Sequence, residues 1–103
     1  MKALTATTLA LLMALSVPAL AEKSVCKQVA NLAENMMEAR QIGVSMVDAM
    51  GAAGDSAIIK RMVVEAYEVR RFKAPVWQAT EVQDFRDEWF MVCYKVAAEM
   101  KES

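Results

Sequence analysis

Two thiols, a set of methionine thioethers and two charged runs are the side chains in this chain whose types could do chemistry. Cys26 and Cys93 are the only cysteines. Three uses are open to them: a lipid anchor at Cys26, a redox pair, or a structural bond. A redox pair wants Cys-x-x-Cys spacing, or a thiol whose pKa an adjacent cation has lowered. Here the two stand 67 positions apart, with Lys27 and Lys95 as the cations close by in sequence. Met36, Met37, Met46, Met50, Met62, Met91 and Met100 could offer thioethers to copper(I). Most of them fall at core-facing spacing, where methionine fills gaps. Met46 and Met50 differ in sharing one face of a short helix.

Acid–base catalysis has little to work with. The chain carries 12 basic and 13 acidic residues and no histidine, which removes the usual general base and the commonest metal ligand. The acids Glu81, Asp84, Asp87 and Glu88 occupy the first half of a long helical pattern, where the helix dipole favours negative charge. Arg70, Arg71 and Lys73 close the preceding helix, where cations meet the last carbonyls; Lys60 and Arg61 lie further back. Both runs read as charges that complement helix ends. The inventory therefore points to a non-catalytic protein with no cofactor and no metal site. The absence of a basic excess argues against a nucleic-acid partner.

What the cysteines do depends on where the working chain begins. Met1–Lys2 is a short positive start, Ala3–Val17 is apolar or small, Pro18 breaks the run, and Ala19-Leu20-Ala21 offers small residues to a signal peptidase. This is the plan of a secretory signal peptide. As a membrane span it is too short: a helix of that length reaches about 22 Å, against a hydrocarbon core of about 30 Å. Cleavage after Ala21 leaves Glu22–Ser103 as one domain, periplasmic or secreted, with no stable membrane insertion. A lipoprotein needs cysteine directly after the cut, and Glu22 stands there instead. In an oxidising compartment the pair is then expected to form a structural disulfide. Closing so long a loop stabilises by roughly 4 kcal/mol in the chain-entropy model, which matters for a domain this small.

The elements that position these groups are helical throughout. Ser24 is expected to cap a first helix running to Ile42, with Gly43 in the left-handed position that ends it. Ser45 and Asp48 open a short second helix, about Met46 to Ala52, and the GAAG run Gly51–Gly54 stops it. Asp55 or Ser56 caps a third helix from Ala57 to about Arg71, with Arg61 and Glu65 as an i,i+4 pair. Pro75 suits the first position of a fourth helix, about Val76 to Lys101. Val82, Phe85, Trp89, Val92, Cys93, Val96 and Met100 recur along it at three- and four-residue steps and mark its core face. Cys26 lies in the first turn of its helix and Cys93 near the end of its own. A disulfide between them buries the most surface if the two helices run antiparallel. The expected fold is all-α: a small four-helix domain, first and last helices antiparallel and stapled.

The run CKQVANLAENMMEARQIGVSM (Cys26–Met46), the pair Ala66-Tyr67 and the closing FRDEWFMVC (Phe85–Cys93) resemble a group of short exported helical proteins of proteobacteria and their prophages. Members pair an early cysteine with a late one and carry an Arg-Gln-x-Gly turn between. The resemblance spans nearly all of the chain after the leader. It implies the helical fold and the Cys26–Cys93 bond, and transfers no other functional residue. Arg40 and Gln41 in that turn either touch a partner or tie helix ends together, and the second reading is favoured.

The function these residues suggest is that of a small exported interaction protein with a protein partner in the periplasm. Met46, Val47 and Met50 are its candidate contact residues, because a short Gly-bounded helix cannot easily bury all three. A periplasmic redox or copper-binding protein is the alternative.

Overall fold

The computed structural model describes residues 24–102, which form four helices and no strand among the described residues. α1 covers residues 24–42, α2 Met46–Ala52, α3 Ala57–Glu68 and α4 Pro75–Glu102. The leader read at residues 1–21, with its cleavage after Ala21, lies outside the described residues.

Local chemistry explains most of the helix ends. Residue 24 is already helical, so Ser24 is not the cap that its side chain suggested. α1 ends in a Schellman turn: Gly43 takes a φ of +99°, its N–H donates to Arg40 O at 3.2 Å, and Val44 N–H donates to Ala39 O at 2.9 Å. The two bonds satisfy carbonyls that a helix end otherwise leaves bare. Ser45 caps α2, its Oγ accepting the Asp48 N–H at 3.1 Å. Of the two candidate caps for α3, Ser56 is the one used, accepting the Ile59 N–H at 3.3 Å. α3 stops at Glu68 rather than continuing to Arg71, because Val69 is already extended. Pro75 is itself the first residue of α4, where a missing N–H costs nothing.

α1 and α4 lie antiparallel. Cys26 and Cys93 are bonded with their Cα atoms 5.5 Å apart. Further along, Arg86 Nε lies 3.4 Å from Glu34 Oε2, and Gln78 Nε2 reaches Gln41 O at 3.5 Å. One helix ascends as the other descends. Their shared core holds Ala33 and Met37 of α1, Met62 and Ala66 of α3, and Phe85 and Trp89 of α4. The alanines let the backbones approach, and the tilted Phe85–Trp89 pair, 6.3 Å between centroids, fills the remaining width. A smaller cluster joins Ala49 and Ala53 to Val63, with Met36, Met50, Ile59 and Tyr67 packed around it. That cluster seats α2 on α3.

The apolar stripe of α4 is only half covered. Phe85 and Trp89 are buried, whereas Val92, Val96 and Met100 are exposed, contrary to the core role their spacing suggested. For Val96 and Met100 the cause is length. Ile58, near the start of α3, already shares a depression with Trp89 and Val92. Cys26, near the first described residue of α1, sits beside Cys93. α4 runs on to Glu102 beyond both described neighbours.

Candidate interaction surface

α2 is seated by its inward alanine. Ala49 turns into the cluster with Ala53 and Val63, and Met50 joins it as a half-buried neighbour. With a helix of seven residues, burying that row forces the next residues outward. Val47 is accordingly 81% exposed and Met46 40%. Met46, Val47 and Met50 flank an open depression whose other side carries Lys60 of α3. The three candidate contact residues are thus adjacent. Two face solvent, and the third is shared between surface and core.

Arg40 and Gln41 lie elsewhere, in a polar knot joining the end of α1 to the segment between α3 and α4. Gln41 is 1% exposed. Its Nε2 donates to Arg70 O at 3.0 Å, and its Oε1 accepts the Phe72 N–H at 2.8 Å. Arg40 Nε donates to Val69 O at 3.0 Å, and Arg71 Nε donates to Gln41 O at 2.9 Å. The two arginines therefore cap one another's helices: the α1 residue serves the end of α3, and the residue beyond α3 serves the end of α1. Arg71 does not close its own helix, as its place in the sequence suggested. Gln78 adds a bond to Phe72 O at 2.6 Å. Tyr67 completes the knot, its hydroxyl donating to Val44 O at 2.7 Å beneath the Arg40 guanidinium, 5.1 Å from the ring centroid. Burial pushes the Tyr67 pKa above its ordinary value, partly offset by Arg40 and reinforced by Asp48.

The remaining chemistry-bearing groups are dispersed. Cys26 is buried, and Cys93 half-buried, in the disulfide. Met37 and Met62 are sunk in the main core. No group of three or more metal-binding His, Cys, Asp or Glu side chains occurs among the described residues. The acids of α4 begin at Glu81, beyond the first turn, which carries none. The dipole argument for them fails, because that field fades within one turn. Arg61 does pair with Glu65, at 3.0 Å on an exposed face.

One exposed apolar group went unmarked by the sequence reading. Ile42, Val76 and Trp77 are 70%, 67% and 57% exposed, all close to the polar knot. The signal was present in RRFKAPVW (Arg70–Trp77), where aromatic and basic residues interleave, but the stretch reads at first as a mere connection. No family model, no curated protein and no solved structure matches this chain.

Proposed function

We propose that this chain is a small exported, non-catalytic interaction protein that holds a protein partner in the periplasm through the apolar face of α2. The observation that carries the reading is Val47, the most exposed large hydrophobic side chain of the described residues, set between Met46 and the depression lined by Met50. Methionine side chains are flexible and polarizable, which suits an adaptable contact. Export rests on the leader and on the oxidised cysteine pair. It is also consistent with the helices: none among the described residues is long and apolar enough to cross a membrane.

Affinity capture from periplasm, with the chain as bait, tests the binding role. Met46→Gln with Met50→Gln is expected to leave melting close to that of the parent and to abolish capture. A collapse in stability, or undiminished capture, returns α2 to the core. Intact-mass analysis of the periplasmic fraction tests export, and the mass expected is that of a chain beginning at Glu22. Thiol titration of the native protein addresses the redox alternative, which requires an easily reduced bond.

A further inference from the structure

The basic run between α3 and α4 is only partly used by the fold. Arg71 is tied to Gln41 O, but the side chains of Arg70 and Lys73 are exposed. The Arg70 guanidinium lies 4.7 Å over the Phe72 ring, and that ring is 6.5 Å from the ring of Trp77. Ile42, the last residue of α1, lines one groove together with Pro75 at the start of α4. The end of α1, the connection and the first turn of α4 therefore share one end of the bundle, and Ile42, Val76 and Trp77 all turn outward there. No acid lies in the first turn of α4; Glu34 and Glu38 of α1 line the same groove as Ile42 and Pro75, and Glu68 stands two positions before Arg70, so Arg70 and Lys73 act against those carboxylates.

We propose that this end of the bundle is a peripheral docking surface for anionic phospholipid. Trp77, Val76 and Ile42 enter the interfacial layer, and Arg70 and Lys73 pair with lipid phosphates. Tryptophan favours the headgroup level, where an apolar ring and a polar edge are both accommodated. Anionic headgroups attract basic residues held beside the bilayer. Binding at a bilayer surface strengthens with the apolar area buried and with attraction to anionic lipid, and this end of the bundle offers a contribution of each kind. A nucleic acid would engage the cations and leave Ile42 and Val76 without a role. The surface lies on a membrane without spanning it and does not involve α2, so this proposal and the partner reading can fail separately.

Vesicle co-sedimentation tests it. The protein is purified from cells expressing the whole chain, and its amino terminus is read by mass so that every variant is compared with the same start. Vesicles of phosphatidylcholine alone are set against vesicles with about one-third phosphatidylglycerol. Binding is expected on the anionic vesicles only, weakening as salt rises, with a blue shift in emission from Trp77. Trp89, the other tryptophan, is already buried. Arg70→Gln with Lys73→Gln is expected to lower partitioning about 30-fold. Val76→Ser with Trp77→Ser is expected to lower it at least about tenfold. All four side chains are exposed, and circular dichroism verifies that the variants fold. No sedimentation with either vesicle overturns the proposal. So does equal binding to neutral vesicles, partitioning unchanged in both variants, or binding to polyglutamate without binding to vesicles.

Discussion

A buried glutamine is tolerable only where each of its polar atoms finds a partner. Gln41 meets that condition through Arg70 O and the Phe72 N–H. Gln41→Ala strands both backbone groups, each worth about 1–3 kcal/mol when left unpaired. Urea unfolding is expected to show a loss of about 2–5 kcal/mol. Two nearby glycines separate backbone strain from helix propensity. A Cβ on Gly43 would stand 2.8 Å from Arg71 Nη2, at a φ of +99°. Gly43→Ala is therefore expected to destabilise by about 1–3 kcal/mol, through strain and a disturbed Arg71 bond. Gly51 has open space around its missing Cβ and lies within α2, so Gly51→Ala is expected to stabilise by about 0.5–1 kcal/mol. Thermal melts of the pair check the opposite signs. The Arg40-Gln41-x-Gly43 run was legible as a helix end. The burial of Gln41 was not, because its partners lie about 30 positions further along the chain, and local pattern carries no record of them.

α4 shows what a periodic stripe can and cannot tell. Spacing fixes the phase in which Phe85, Trp89, Val92 and Val96 face one way. Which of them is covered depends on how far the neighbouring helices extend, and that is set by caps at Ser56 and by the register at Cys26. Trp89→Ala is expected to cost about 3–5 kcal/mol, and Val96→Gln to stay within about 0.5 kcal/mol of the parent. Equal losses in chemical denaturation would mean that the far half of the stripe is packed after all. The early end of α3 has the same origin. Val69, Arg70 and Arg71 could continue a helix, but the carbonyls of Val69 and Arg70 are taken by Arg40 and Gln41. A long-range demand overrides local propensity there.

Taken together, the helices make a pair, α1 and α4, clamped at both extremities. A covalent bond holds one extremity and the polar knot holds the other, with the alanine-lined core between. α3 closes the core, and α2 rides on α3 with Val47 outward. The all-α class, the antiparallel staple and the cap at Ser45 could be read from residue types, and the cap at Ser56 as one of two candidates beside Asp55, since each rests on neighbours in sequence or on a choice between two arrangements. The outward-facing end at Ile42, Val76 and Trp77 could not, since it depends on three chain segments meeting. Cys93→Ser is expected to lower stability by about 2–5 kcal/mol in denaturant. The far end remains held by Gln41, so helix content in native buffer should survive the substitution. An unchanged unfolding midpoint would show that the bond contributes nothing.

The disulfide also decides how the protein answers a mechanical load. A pull applied to the two ends of the chain passes from Cys26 directly to Cys93, across Cα atoms 5.5 Å apart. The chain between them, a sequence separation of 67, with α2, α3 and the whole polar knot, hangs in a side loop that carries no tension. While the sulfurs are joined, only the segments before Cys26 and after Cys93 can lengthen. Reduction places that loop in series with the load and frees about 230 Å of extended chain. Single-molecule stretching under oxidising and then reducing conditions should register that difference in contour length.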